Sequence, residues 1–255
     1  MPSRKSSRVP NQAESRAENA PPEFKGFPEA GFRFLRQLKR HNDRDWFRER
    51  KAEYEREVEQ PMEALVHAVA AECRSRGLPL YVKEKSPVMR VYRDVRFSKD
   101  KSPFKTHVAA ELRRSFSASS CMMYIHLSPG ESFVAAGIWQ PDRPLLHAWR
   151  EAIVRDPARF EKVRAQLARR GLELGKEHSL SSMPRGFQNY SRESFADWLK
   201  LTSFVVHRSL QPSECSTPRL VQTITDFALA SKPLFEFAWA VERANGKQAG
   251  EALKM

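Results

Sequence analysis

The hydrophobic period of the chain changes twice, and this change limits the folds that the sequence can adopt. Apolar residues recur at helical spacing up to Gly77, alternate at every second position within four segments between residues 88 and 139, and return to helical spacing after Pro144. Strict alternation is typical of half-buried strands, and a period near 3.6 is typical of amphipathic helices. Four strands are predicted in the alternating region, at residues 88–97, 106–113, 121–127 and 132–139. Because tight turns join them, the sequence predicts an α+β fold, a single domain with a central antiparallel β-sheet flanked by N- and C-terminal helices.

Turn and cap residues locate the predicted helices. Asp43 is a predicted N-cap, and Asn42 before it is interpreted as the C-cap of the first helix. Pro61 falls inside a long helical pattern, where we expect a kink or two abutting helices. Further helices are predicted to begin near Pro28, Pro144, Asp156, Ser191, Thr217 and Pro233. Residues 204–207 are predicted to form an additional edge strand.

The composition predicts one folded domain with two tails. The chain has 255 residues, of which 40% are hydrophobic, enough to bury one substantial core. Residues 1–23 and 245–255 contain few large apolar side chains, and such segments do not recover their ordering entropy by burial. The sequence therefore predicts a domain over residues 24–244 between two disordered tails.

The charge balance points to anionic partners. The formal net charge is +13, which favours nucleic acid, nucleotides, phosphorylated metabolites or a membrane surface. The alternative is a solvated, arginine-rich surface without a specific partner, since net charge governs solubility and non-specific binding rather than fold.

Cysteine usage and hydropathy exclude several protein classes at the level of sequence. The three cysteines are far apart and form no CxxC motif, so neither a zinc ribbon nor a disulfide framework is predicted. The first twenty residues lack the apolar core of a signal peptide, and no apolar run reaches transmembrane length. We expect a soluble, cytoplasmic protein without a membrane partner, and the sequence leaves its oligomeric state open.

The most charged part of the chain is the stretch from Arg90 to Lys105. It carries six cationic side chains and two carboxylates among aromatic and aliphatic residues. Charges that are buried without partners cost several kcal/mol. The stretch therefore forms an internal ion-pair network or provides a site for an anion.

The order of residues in this stretch, RxxRDxRFxxDKxPFK, resembles the signature of the DUF2461 family of uncharacterised bacterial and fungal proteins. The resemblance extends over roughly residues 24–210, through Asn42-Asp43-Arg44-Asp45-Trp46-Phe47, Gly137-Ile138-Trp139-Gln140-Pro141 and Pro184-Arg185-Gly186-Phe187. Phe104 stands where we expect tyrosine in most relatives. The resemblance implies a family but no activity, because none is established for the family.

Alternation predicts that the less apolar face of the sheet is a binding surface. It places Arg90, Tyr92, Asp94 and Arg96 beside His107 and Glu111 of the next strand, Tyr124 and His126 of the third, and Phe133, Gly137 and Trp139 of the fourth. Arginine suits bidentate capture of phosphate or carboxylate. A basic pocket with aromatic walls is therefore expected, with the candidate ligand-binding residues Arg90, Arg96, Lys101, Lys105, Tyr124 and Trp139.

The same alternation assigns Arg93 to the apolar face. There it would be buried and would require a carboxylate partner from a helix, for instance Asp45 or Glu49. The alternative left open is that Asp94 and Asp100 pair with Arg93 and Lys101 and fix the loop as a structural ion-pair network.

An anion-binding protein is the leading functional hypothesis, with a phosphate-bearing ligand, a nucleotide or nucleic acid as its partner. The alternative hypotheses are an enzyme that acts on such a ligand, with His107, His126 or Asp94 as acid or base, and a structural scaffold. Asp100 and Glu111-Leu112-Arg113 only loosely match a magnesium-dependent nuclease pattern. Because the chain has no GxGxxG or GxxxxGK[ST] motif, no cofactor is predicted, and no metal is predicted either.

Overall fold

The computed structural model of the protein describes residues 23–96, 98–116 and 119–252, with side chains described to Gly246. Helices dominate both ends of this part of the chain, and a five-stranded sheet lies between them. The predicted disordered segment 1–23 lies outside the described residues, except for Glu23. At the other end the last helix continues to Ala252, so the backbone is helical where the second tail was expected to begin.

The N-terminal helices follow the predicted cap residues closely. They are α1 (Glu29–Arg40), α2 (Arg44–Glu49), α3 (Lys51–Tyr54) and α4 (Gln60–Ser75). Asp43 caps α2 by accepting a hydrogen bond from the Trp46 N–H at 2.9 Å. A π-helical turn, Glu55–Glu59, connects α3 to α4 directly before Pro61. The disturbance expected from this proline is therefore present, because proline cannot donate the helical hydrogen bond of its position.

The sheet is an antiparallel meander with its strands in sequence order. Its strands are β1 (Tyr81–Val82), β2 (Val108–Arg113), β3 (Met122–Leu127), β4 (Ser132–Ile138) and β5 (Phe204–Leu210). The predicted strands at residues 106–113, 121–127 and 132–139 correspond to β2, β3 and β4. The predicted edge strand is β5, which extends to Leu210.

The predicted strand at residues 88–97 is wrong. Within this segment the structure describes only isolated bridges, Val88 with Ala110 and Tyr92 with Phe104, and Phe97 lies outside the described residues. The segment pairs instead with its own returning half: the Arg93 N–H donates to the Pro103 carbonyl at 2.9 Å, and the Lys105 N–H donates to the Val91 carbonyl at 2.8 Å. Its backbone groups are thus satisfied in an exposed loop, and alternation in the sequence does not distinguish such a loop from a sheet strand.

The C-terminal helices complete a core on one face of the sheet. They are α5 (Arg143–Arg155), α6 (Pro157–Ala168), α7 (Ala196–Lys200), α8 (Pro212–Cys215), α9 (Arg219–Ala230) and α10 (Lys232–Ala252). Helices α4, α9 and α10 contact β2 and β4. Alternate strand residues such as Leu112, Ile125 and Val134 are fully buried beneath them. The opposite face of the sheet, called the open face below, is left for loops.

Among the described residues, no helix has the length and apolar character needed to cross a membrane.

Candidate functional site

The open face of the sheet is concave because small residues lie between large ones. One row across the strands runs Glu111, Tyr124, Ala135, His207, and the next runs through Met122 and Gly137 to Val205. Ala135 and Gly137 leave room between the larger side chains on either side. The result is a cavity of about 570 Å³, a volume typical of small-molecule sites.

Gly137 is required by the close approach of β5. Its φ angle is +132°, and a Cβ atom at this position would lie 2.0 Å from the carbonyl oxygen of Phe204. A side chain at residue 137 would therefore separate β4 from β5. The glycine of the predicted Gly137-Ile138-Trp139 motif thus shapes the floor of the cavity.

A second wall of the cavity comes from the segment 175–178, which runs along β5. The Gly175 N–H donates to the Val205 carbonyl at 3.0 Å, and His178 accepts at its carbonyl from the Thr202 N–H at 2.8 Å. The His178 ring meets the Trp139 ring edge to face, with their centroids 4.3 Å apart. Trp139 nevertheless remains 49% exposed, so its ring is accessible to a ligand.

The lining of the cavity is aromatic and aliphatic, with a few polar groups. None of the described residues that line it is lysine or arginine, so the predicted basic pocket is corrected to an apolar one. The lining residues are Met89, Glu111, Met122, Tyr124, Phe133, Ala135, Ala136, Gly137, Trp139, Gly175, Glu177, His178, Ser203, Val205 and His207. Two predicted ligand-binding residues, Tyr124 and Trp139, are among them.

Glu111, the half-buried carboxylate of the lining, is held by an arginine. Arg113 donates to it at 2.9 Å and also donates to the Ser119 carbonyl at 2.7 Å. Asp100, the other carboxylate of the loose nuclease pattern, is instead bonded to Arg93. Each of these two carboxylates therefore has its own arginine partner.

Two histidines form a stack that continues from the cavity across the open face. The His107 and His126 rings have centroids 4.1 Å apart, and His126 stacks on Phe133 at 4.7 Å. The Tyr124 hydroxyl lies 3.3 Å from Nδ1 of His126. Burial lowers the pKa of each histidine to about 4; the cations Lys105 and Arg93 add to the effect at His107, and His107 adds to it at His126. Both rings are therefore neutral at pH 7.

Both carboxylates of the loop between Arg90 and Lys105 are paired with arginines of the same loop. Arg93 pairs with Asp100, and Arg96 donates to both carboxylate oxygens of Asp94 at 3.0 and 2.7 Å. Hydrogen bonds from Ser102, followed by the one from Arg93, lower the pKa of Asp100 to about 2. The Lys101 ammonium donates to the Val95 carbonyl at 3.0 Å. Arg96 and Lys101 thus contact other parts of the loop and do not line the cavity.

The expected burial of Arg93 is wrong. Its side chain is 38% exposed, and its partner is Asp100 of the same loop rather than Asp45 or Glu49 of a helix. The reason is that residue 93 lies in a loop, where alternation does not direct side chains to a core. An exposed ion pair of this kind contributes little to stability.

Four cations of the loop have no bonded carboxylate among the described residues, namely Arg90, Lys99, Lys101 and Lys105, and of these Arg90 and Lys105 contact each other. The Lys105 ammonium donates to the Arg90 carbonyl at 3.1 Å, and the Arg90 guanidinium makes no ion pair with any residue that the structure describes. Burial, and then the charge of Arg90, lower the pKa of Lys105. Arg90 directly follows Met89, a residue of the cavity lining. A positive charge without a bonded carboxylate therefore lies next to a lining residue of the open face.

Asn42 joins the loop to the N-terminal helices. Its amide donates to the Phe104 carbonyl at 3.0 Å and accepts from the Phe104 N–H at 3.0 Å. Phe104 in turn stacks on Phe47, with ring centroids 4.2 Å apart. Asn42 is thus a tether between two distant segments, and the C-cap position of α1 belongs to His41.

These contacts connect two of the segments that carry the family resemblance, and a comparison with family models tests that resemblance. Residues 30–237 match the model described as "Conserved hypothetical protein (DUF2461)". The chain belongs to the DUF2461 family. No curated protein and no solved structure matches it.

Several residues of this DUF2461 protein were not predicted from sequence. His207 lies on the open face of β5. Alternation within the predicted edge strand at residues 204–207 would have assigned it to that face. Met89, Glu177 and His178 lie in loops, where no local pattern indicates that they face the cavity. Arg150 is 92% buried and donates to the carbonyls of Leu199 and Leu201 at 2.8 and 3.3 Å, a contact between α5 and α7 that only the tertiary structure shows.

Proposed function

We propose that the protein binds an anionic ligand that carries a planar ring, such as a nucleotide or a nucleotide unit of a nucleic acid. The observation that supports this proposal is an apolar, aromatic cavity whose margin continues into two cations without a bonded carboxylate. The ring would lie over the open face of the sheet, and the anionic group would lie at Arg90 and Lys105.

The ring part of the proposal rests on the shape and chemistry of the cavity. Tyr124, Phe133 and the half-exposed Trp139 offer ring faces, while Ala135 and Gly137 leave space between them. Stacking of a base on an aromatic side chain contributes about 1–3 kcal/mol. Because the lining has no lysine or arginine, the part of the ligand inside the cavity would be uncharged.

The anionic part rests on electrostatics at the margin of the open face. Burial, and then the charge of Arg90, lower the pKa of Lys105, and burial, followed by the charges of Lys105 and Arg93, lowers the pKa of His107. The charge contributions indicate that these cations lie close enough to repel one another, a repulsion that a bound anion would relieve. A phosphate that accepts hydrogen bonds from both Arg90 and Lys105 would make the strong, charge-assisted kind.

Titration calorimetry with adenosine monophosphate, adenosine and inorganic phosphate tests both parts together. We expect the monophosphate to bind more tightly than either fragment. Lys105→Met should weaken the monophosphate about tenfold or more, because a hydrogen bond to a charged group contributes about 1.5–3 kcal/mol, while adenosine binding stays unchanged. Trp139→Ala should weaken both adenosine and the monophosphate.

A matched control lies on a helix that contributes no residue to the cavity lining. Lys162→Met removes an exposed lysine of α6 and should bind like the wild type. If Lys105→Met and Lys162→Met weaken binding of the monophosphate equally, the weakening is caused by the loss of net charge and not by the loss of a contact at Lys105. If none of the three compounds binds, the loop is a structural scaffold and the proposal is wrong.

An enzyme acting on the same ligand is the second candidate, and the Tyr124–His126 contact favours it. Tyr124 lines the cavity, and its hydroxyl lies 3.3 Å from Nδ1 of the neutral His126 imidazole, a protonation state in which the ring can act as a base. Conversion of the bound ligand by the wild type, lost in His126→Gln with binding retained, would assign catalysis to this pair. Binding without conversion would leave a binding protein.

A further inference from the structure

We propose a second, separate site for an oxyanion, a phosphoryl or carboxylate group, formed by Arg76, Arg170 and Arg208. Successive residues of a strand point to opposite faces of a sheet. His207 of β5 lines the cavity on the open face, and Arg208 lines another concavity, of about 350 Å³, on the other side. The two sites therefore share β5 but no lining residue.

Three distant segments of the chain bring the three arginines together. Arg76 follows the end of α4, Arg170 follows the end of α6, and Arg208 belongs to the edge strand β5. The remaining lining residues are one carboxylate, Asp226, and an apolar floor consisting of Leu172, Phe227, Leu229 and Ala230. The concavity can thus hold an anionic group against its rim and a small apolar group against its floor.

The charges around this concavity are not balanced. Asp226 accepts from Arg76 at 2.9 Å and from Gln222 at 2.7 Å through the same oxygen. Arg208 donates to Glu214, outside the lining, at 2.9 Å. Arg170 has no ion pair with any residue in the described part of the chain. Counting the lining alone, three cations face one carboxylate.

Hydrogen-bond donors also remain for a ligand. A guanidinium has five N–H groups, and Arg76 and Arg208 each use one nitrogen in the contacts above. Gln222, and then Arg76 and Arg208, lower the pKa of Asp226, so this carboxylate stays ionised and holds Arg76 in place. The fork geometry of arginine matches both phosphate and carboxylate oxygens.

Stabilisation of helix ends does not account for this arrangement. Cations near the C-termini of α4 and α6 are favourable for the helix dipoles, and Arg169 at the C-cap of α6 already satisfies that need. Convergence of Arg170 with Arg76 and Arg208 on one concavity is an additional feature, and a ligand site explains it.

The experiment is an NMR titration of the full chain at low salt with inorganic phosphate and, separately, with acetate. The signals followed are the backbone amides of Leu229 and Ala230 and the arginine Nε–H groups, so that binding here is resolved from binding near Lys105. We expect saturable shifts at these signals. Arg170→Met should weaken binding about tenfold, whereas the matched variant Arg169→Met, with the same loss of charge one residue away, should stay within twofold.

The same titration distinguishes binding at the three arginines from binding in the cavity on the open face. Lys105→Met should leave the shifts at Leu229 and Ala230 unchanged, so the site stands even if the ligand proposed for the cavity does not bind. Preference for phosphate assigns a phosphoryl ligand, and preference for acetate assigns a carboxylate; both support the oxyanion site. Absence of saturable shifts with either anion, or equal weakening in Arg169→Met and Arg170→Met, would overturn it.

Discussion

Asn42 shows how one side chain can fix a charged loop. Its amide pairs with both backbone polar groups of Phe104, a residue that is only 2% exposed. Without this side chain the two backbone groups of Phe104 would be buried without partners, and the stacking of Phe104 on Phe47 would lose its anchor.

We predict that Asn42→Ala lowers the free energy of unfolding by about 1–3 kcal/mol, because leaving buried polar groups unsatisfied has that cost. Chemical denaturation of the full chain measures it. Asn189→Ala, at an exposed asparagine of the Gln188–Tyr190 turn, is the control and should change stability by less than about 0.5 kcal/mol. Equal stability of Asn42→Ala and the wild type would show that the tether contributes nothing.

At the scale of single residues, alternation in the sequence predicts which face of the sheet a strand residue occupies, but it does not predict the direction of side chains in loops. Tyr124 of β3 and Trp139, which directly follows β4, reach the cavity as alternation in the sequence indicates. Arg93 and Arg96 do not occupy the predicted faces, because their backbone belongs to an exposed loop held by its own hydrogen bonds. The partner of Asn42 lies 62 residues away, and no local pattern contains that information.

Among the secondary-structure elements, β4 depends on a single glycine. Gly137 combines a φ angle of +132° with the near approach of the Phe204 carbonyl. Both features disfavour any side chain, so the pairing of β4 with β5, and with it the floor of the cavity, requires glycine at this position.

Replacement of this glycine should therefore be costly. We predict that Gly137→Ala destabilises the protein by about 3 kcal/mol or more, through backbone strain and separation of the two strands. Thermal and chemical denaturation measure the change. Gly130→Ala is the control, because a Cβ atom there would meet no atom within 4 Å. A small, equal effect of both substitutions would contradict the assigned role of Gly137.

The elements themselves are largely predictable from hydrophobic period and caps. Asp43 and Asp156 begin helices as expected, since each accepts a hydrogen bond from the backbone of the first turn. The strand expected at residues 88–97 does not form, because a strand requires a neighbouring strand with which to pair and the edge of β2 pairs with another segment. In the structure the short strand β1 pairs with Arg113 and Leu112 of β2 instead.

At the scale of the whole molecule, the helices cover one face of the sheet and leave the other to loops. The half-buried pair His107 and His126 lies on that second face and titrates with a pKa of about 4. In the unfolded chain histidine has a pKa near 6.5. Between these values the unfolded state binds more protons than the folded state, so stability falls as the pH is lowered through this window.

We predict that the wild type loses stability between pH 7 and pH 5 by about 1–2 kcal/mol more than the double variant His107→Gln, His126→Gln, after allowance for solvent screening of a partly exposed pair. Denaturation curves at the two pH values give the difference. If the two proteins lose the same stability, the pair is not held neutral by burial.

The net charge of +13 belongs to this scale as well. It suggested anionic partners from the sequence alone, but it did not indicate where they would bind. Paired residues such as Arg93 and Arg96 account for part of the positive charge of the loop, whereas Arg90 and Lys105 remain without a bonded carboxylate. The proposed location of an anion at Arg90 and Lys105 therefore rests on contacts in the tertiary structure and not on the net charge.

The central claim is that a ring-bearing anion lies over the open face with its charged group at the loop. Mapping of NMR shift changes on titration with adenosine monophosphate tests it most directly. The account predicts that the largest changes fall on the Trp139 indole and on the amides of Ala135 and Gly137, together with Arg90 and Lys105. Changes confined to the arginine concavity around Arg170, or scattered over the surface without saturation, would contradict it.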